Sequence, residues 1–178
     1  DIEEVLADEK TLAEICDRLA AEITKDYRDS QKDLVFVVIL KGSMYFASDL
    51  IRRIELPCEM EFMKVSSYGA GTVTTGSVNI HLDLVRPDLD TCDILIVEDI
   101  IDSGFTLSYL TKYLIGKGVR SVKTCTLLDK PSRRRVAFTP DYCGTEIPDE
   151  FVVGYGLDYN EKYRNLPYIG VLKPEAYK

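Results

Sequence analysis

Residues 94–97, Ile-Leu-Ile-Val, are apolar without alternation and run straight into two adjacent carboxylates, Glu98 and Asp99. A third acid, Asp102, opens a loop of small and hydroxyl residues, Ser103-Gly104-Phe105-Thr106, and an apolar-periodic segment starts at Leu107. The pattern predicts a strand covered on both faces, a turn at its carboxyl end, and a helix. That succession belongs to an open α/β sheet, in which ligands bind beyond the carboxyl ends of the strands. A helix start rich in Gly, Ser and Thr suits a phosphate, because free N–H groups and hydroxyls point at it. Neighbouring carboxylates would repel that phosphate unless they met hydroxyl donors or a divalent cation. A phosphorylated sugar with a metal satisfies both conditions.

The rest of the chain repeats the α/β theme. Residues 34–40 are a second unbroken apolar run, followed by Lys41-Gly42-Ser43 and a helical pattern through Ala47, Leu50, Ile51 and Ile54. Upstream, Leu6, Leu12, Ile15, Cys16, Leu19, Ala20 and Ile23 recur at three- and four-residue steps, predicting an amphipathic helix capped by Asp8. Residues 59–65 alternate, with Met60 and Phe62 on one face, and residues 78–84 alternate again. Between them, residues 66–77 form a polar, glycine-rich stretch too long for a tight turn. The helix after the acidic loop is expected to reach about Ile115, Lys117-Gly118 to break it, and residues 122–128 and 151–153 to be strands. Strands alternating with helices predict a mostly parallel sheet. At 178 residues the chain is expected to be a single domain, since domains run to roughly 100–200 residues.

Composition narrows the partners. A net charge of −8 argues against a general binder of nucleic acid or anionic lipid, although local lysines can still dominate one pocket. No apolar stretch approaches the roughly 18 residues of a spanning helix. No signal peptide is recognised; the chain begins at Asp1, and an initiator segment is expected ahead of it. The five cysteines are odd in number and widely spaced, so reduced thiols in the cytoplasm are expected rather than disulfides or zinc. Arg133-Arg134-Arg135 is a short basic run, which in an acidic protein reads as a solvated or subunit-facing surface. His81, the single histidine, lies on an alternating strand without partners in any recognisable triad.

Five segments, in order along the chain, carry a resemblance: Leu40-Lys-Gly-Ser43, Ser66-Ser-Tyr-Gly69, Val97-Glu-Asp-Ile-Ile-Asp-Ser-Gly-Phe-Thr106, Asp129-Lys130 and Phe151-Val-Val-Gly-Tyr155. Together they resemble the type I phosphoribosyltransferases, in the hypoxanthine-guanine branch. Gly156-Leu-Asp-Tyr-Asn-Glu-Lys-Tyr-Arg164 is similar to the bacterial 6-oxopurine enzymes. The likeness spans nearly the whole chain. It implies a central, mostly parallel sheet flanked by helices, with a core at about residues 33–145 and a small hood from the N- and C-terminal segments. The implied reaction joins a purine base to phosphoribosyl diphosphate with Mg2+, giving a nucleoside 5′-monophosphate and diphosphate.

The resemblance also implies roles. Glu98 and Asp99 would address the ribose hydroxyls and the metal, with Asp158 near a second magnesium. Ser103, Gly104 and Thr106 would cradle the 5′-phosphate, with Phe105 and Leu107 in the same loop. Asp102 would accept the proton from N7 of the purine, which makes N9 a better nucleophile. Lys41, Gly42 and Arg164 would meet the diphosphate, and Ser67 and Tyr68 would close over it to exclude water. The branch places a non-proline cis peptide before Lys41. Lys130 would donate to the 6-oxo oxygen, Phe151 would stack on the base, and Val152 and Asp158 would complete the purine site. Relatives associate as homodimers or homotetramers.

Two other readings are weaker on the residues. The loop's Gly69, Gly71 and Gly76 are spaced G-x-G-x-x-x-x-G before a strand rather than a helix, so dinucleotide binding fails. A nucleotide-binding regulator should carry a basic face or an added DNA-binding segment, and an adenine, orotate or uracil transferase is disfavoured by Lys130 and the segment after Phe151.

Overall fold

A computed structural model describes residues 1–67 and 78–178. Six strands form the main sheet: β2 (Asp33–Leu40), β3 (Glu59–Ser67), β4 (Val78–Leu82), β5 (Cys92–Ile101), β6 (Ser121–Asp129) and β7 (Tyr142–Glu146). Their order is β4-β3-β2-β5-β6-β7. Every neighbouring pair is parallel except β3 with β4, a hairpin at the edge. The chain ends build a smaller sheet: β1 (Ile2–Ala7), β9 (Ile169–Leu172) and β8 (Val152–Val153), antiparallel in the order β1-β9-β8.

Alternation along the central strands explains why they are apolar throughout. Phe36, Val38, Leu95, Val97, Cys125 and Leu127 point to one face, under α1 (Glu9–Tyr27) and α2 (Met44–Ile51). Val35, Val37, Ile39, Ile94 and Ile96 point to the other, where α3 (Phe105–Gly116) supplies Leu107, Leu110 and Leu114. Both faces are covered, so a polar residue at any of these positions would lose water without gaining a partner. The cap expected at Asp8 is present: its side chain accepts from the Thr11 N–H at 2.8 Å. All five cysteines are free thiols.

Several expectations needed correction. Leu6 belongs to β1, because the N-terminal segment pairs with β9 before α1 begins. The strand predicted to end at Val97 continues through Glu98 and Asp99 to Ile101, paired to β6 along its length. Met60 and Phe62 share a face of β3, as expected; that face is the exposed one, and Met63 takes the buried side. Strands β7, β1 and β9 had no clear alternation and were not foreseen.

Candidate active site

Parallel register brings the chemistry to one edge of the sheet. Ile101 ends β5 opposite Asp129, which ends β6, so the next residues, Asp102 and Lys130, leave the sheet side by side. The Lys130 N–H donates to the Ile101 carbonyl at 2.9 Å, which ties the two exits together. Lys41 leaves β2 in the same direction, following a Leu40–Lys41 peptide that is cis, as the resemblance implied. Gly104, at φ +87°, turns the chain from the loop into α3. A side chain there would strain the backbone and crowd Arg134, Val136 and Phe138.

Two clefts open along this edge. The first, about 230 Å³, is lined by Ser67, Glu98, Asp99, Ile100, Ile101, Asp102, Ser103, Gly104, Thr106 and Leu107. Residue 105 is absent from that wall; the Phe105 N–H donates to Ser103 Oγ at 3.3 Å. The second, about 460 Å³, brings together Lys130, Phe151, Val152, Leu157, Asp158 and Tyr177. Ile100 and Asp102 line both. Asp102 therefore stands at the junction of a phosphate-sized cleft and a larger, aromatic-walled one. Tyr68 lies outside the described residues.

The first cleft is electrostatically loaded. Burial pushes both acids of the pair upward, Glu98 well above the ordinary carboxylate range, where the Asp99 charge adds to the effect. Two adjacent, partly buried carboxylates are costly as anions, and a divalent cation or ribose hydroxyls would relieve that cost. Asp99 also abuts the β2–α2 turn: a Cβ on Gly42 would stand 1.8 Å from Asp99 Oδ2. Gly42 is required there because the carboxylate occupies the space of a side chain.

In the second cleft, Lys130 Nζ lies 3.9 Å from Asp102 Oδ1. Arg164 meets Asp158 at 3.4 Å and donates to the Gly156 carbonyl at 2.7 Å. Glu161 bridges Arg164, at 3.2 Å, and Lys41, at 3.0 Å. The two cations assigned to diphosphate are thus joined by a carboxylate in this state. Asp158 stays in the second cleft, apart from the Glu98–Asp99 pair, so the three expected metal ligands do not form one cluster. A different group, Asp33, Asp88 and Cys92, sits at the opposite edge of the sheet, where β2 and β5 begin.

The phosphoribosyl transferase domain family matches residues 3–160. This chain belongs to the phosphoribosyl transferase family. A hypoxanthine-guanine phosphoribosyltransferase of Staphylococcus aureus is 52% identical over 99% of this chain and 97% of its own. A crystal structure of a Staphylococcus aureus hypoxanthine phosphoribosyltransferase superposes with a TM-score of 0.94, at 52% identity, covering 100% of this chain and 95% of that one. A Trypanosoma cruzi hypoxanthine phosphoribosyltransferase, a mutant in a ternary substrates complex, gives 0.92 at 40% identity, covering 99% and 98%.

Within this phosphoribosyl transferase, some residues at the site escaped sequence reasoning. Arg134 was read as surface, yet its side chain is largely buried and all three of its nitrogens are hydrogen-bonded. It meets both Asp129 oxygens at 2.8 and 3.0 Å, the Asp102 carbonyl at 3.0 Å and the Phe138 carbonyl at 2.9 Å. The N–H groups of Arg135 and Val136 add bonds to the Ser103 carbonyl, so the segment clamps the 102–104 loop. Nothing in an Arg-Arg-Arg run marks the middle residue. Ile100 could have been flagged as an apolar residue between the acids; Tyr177, at the chain end, could not. His81, expected to belong to no catalytic triad, shares a hydrogen bond of 2.7 Å with Ser66 Oγ across the paired strands β3 and β4.

Proposed function

We propose that this enzyme transfers the 5-phosphoribosyl group of phosphoribosyl diphosphate to N9 of hypoxanthine or guanine, giving IMP or GMP and diphosphate. The observation that carries the reading is the junction at Asp102, between an acid-and-hydroxyl cleft and a cleft walled by Lys130 and Phe151. The names of the similar proteins support the same substrates.

Each residue takes the part that the family resemblance implies, and its chemistry suits that part. Ser103, Gly104 and Thr106 at the start of α3 hold the 5′-phosphate through N–H groups and hydroxyls. Asp102 accepts the N7 proton, which leaves N9 more electron-rich as C1′ gains oxocarbenium character. Lys130 donates to the 6-oxo oxygen, and Phe151 stacks on the ring. The same donor disfavours adenine, whose 6-amino group is also a donor. Lys41 and Arg164 receive the departing diphosphate, which displaces Glu161. Glu98 and Asp99 fit a magnesium ion, whose chemistry when bound is to neutralise charge on the leaving diphosphate. Asp158 suits a second ion nearer the base.

Ser67 and Tyr68 close the site against water. The reading extends to a single domain over residues 1–178, working in the cytoplasm as a homodimer or homotetramer. No helix among the described residues is long and apolar enough to cross a membrane.

Initial rates with phosphoribosyl diphosphate, magnesium and each purine in turn test the reading. Nucleotide should form from hypoxanthine or guanine, and Asp102→Asn should cut turnover steeply while ligand binding survives. No nucleotide from any 6-oxopurine would sink it.

A further inference from the structure

Phe151 is one of two aromatic residues in the wall of the second cleft, yet its own strand does little to orient the ring. It precedes the two-residue strand β8, and its carbonyl accepts from the Leu172 N–H at 2.9 Å. That bond fixes backbone, not ring. The residue remains 38% exposed. A ring so placed has rotational freedom that a ligand would have to remove on binding.

The chain end supplies the missing restraint. Tyr177 stacks on Phe151 with centroids 4.8 Å apart and planes 23° from parallel. Tyr159 meets Phe151 edge-on at 5.8 Å and 83°, and meets Tyr177 at 6.2 Å and 62°. Three rings from separate stretches of chain close into one cluster, in the offset and T-shaped geometries that aromatic quadrupoles favour.

Tyr177 does not reach this place as a loose tail. A turn at Pro174–Ala176 follows β9, with Ala176 N–H bonded to the Lys173 carbonyl at 2.9 Å and Tyr177 N–H to the Pro174 carbonyl at 3.2 Å. Strand pairing, turn and ring stack all hold it in place, and Tyr177 lines the cleft beside Asp102, Lys130 and Asp158. It is absent from the wall of the cleft that holds Glu98, Asp99 and the Ser103–Thr106 hydroxyls.

We propose that Tyr177 is a positioning residue for the purine: it braces one face of the Phe151 ring and so sets the affinity for the base, independently of phosphoribosyl diphosphate. The inference rests on the reading of the second cleft as a 6-oxopurine site. A braced ring presents its platform ready-made, so the ordering cost is met on folding rather than on binding the base.

The test is steady-state kinetics on the full chain with Tyr177→Ala and Tyr177→Phe. Tyr177→Ala should raise the KM for hypoxanthine and guanine by about twofold to tenfold, the range an aromatic pair supports. The KM for phosphoribosyl diphosphate and kcat should hold, and Tyr177→Phe should restore the base KM. Thermal melts separate this from a loss of fold, which would move every parameter. An unchanged base KM overturns the proposal. A lowered base KM overturns it too, because Tyr177 would then occupy the place of the base. Equal rises in both KM values also overturn it, since that is general loosening. If wild-type chain makes no nucleotide from any 6-oxopurine, the reading of the site fails first and this inference falls with it.

Discussion

Lys130 Nζ stands 3.9 Å from Asp102 Oδ1, although the two are far apart in sequence, because β5 and β6 pair Ile101 with Asp129. The lysine is nearly buried and the carboxylate about half exposed. The pair therefore offers a donor and an acceptor side by side across one opening. A one-residue slip of that register would send one of them to the opposite face of the sheet.

Lys130→Gln should weaken the 6-oxo contact without removing the acceptor. A hydrogen bond from a charged group contributes about 1.5–3 kcal/mol, so kcat/KM for hypoxanthine should fall by roughly 10- to 150-fold. Discrimination against adenine should narrow as well. Competition assays with hypoxanthine and adenine read both effects, and an unaltered ratio between the two bases would count against the role.

Gly42→Ala places a Cβ 1.8 Å from Asp99 Oδ2, so the carboxylate must swing away, losing its bond from the Ile100 N–H at 2.7 Å. Misplacing a group at the reacting centre by about 1 Å can cost about 100-fold in rate, and a loss of that order in kcat/KM for phosphoribosyl diphosphate is expected. Gly116→Ala is the control, since nothing lies within 4 Å of its Cβ. Equal activities of the two variants would refute the steric argument.

Arg134→Leu leaves the Asp129 carboxylate buried without its partner. Breaking a buried pair from one side costs about 3–5 kcal/mol, a large share of the 5–15 kcal/mol of a typical domain. Urea denaturation should show that loss. The double variant Arg134→Leu with Asp129→Leu should recover part of it, yet remain slow, because the Asp102 carbonyl stays unheld. Full activity in the double variant would show that the clamp on the loop is dispensable.

Asp93 predicts a pH effect away from the site. Burial raises its carboxyl, but hydrogen bonds from Ser121 and Ser30 and the charge of Arg120 outweigh burial, so it titrates below its ordinary value. A depressed carboxyl adds stability above the unfolded-state pKa, about 3.9, and loses it as pH falls toward the lower folded value. Wild type should exceed Asp93→Asn in urea midpoint at pH 7, with the gap closing below about pH 4. Parallel curves from pH 3 to 7 would contradict this.

The local features of the site were legible because they are written in neighbouring residues. The unbroken run at 94–97 marked a doubly covered strand, and the Ser-Gly-Phe-Thr loop marked the helix start; both hold, with α3 opening at Phe105. The end of that strand was misplaced because two carboxylates look like a loop, whereas pairing with β6 keeps them in the sheet. Met60 and Phe62 marked β3 correctly by their alternation, but a strand with apolar residues on both faces does not say which face is covered.

By itself, then, the sequence determined the α/β class, the strand–loop–helix unit and the kinds of groups the acidic loop would present. Those depend on periodicity and on chemistry within a few residues. Tertiary structure alone decided that Lys130 faces Asp102, that Arg134 clamps the loop, that Glu161 joins Lys41 to Arg164, and that Tyr177 braces Phe151. Each of these is a contact set by strand register or by the path of the chain end. No local pattern encodes them, because the partners meet only once the sheet has formed.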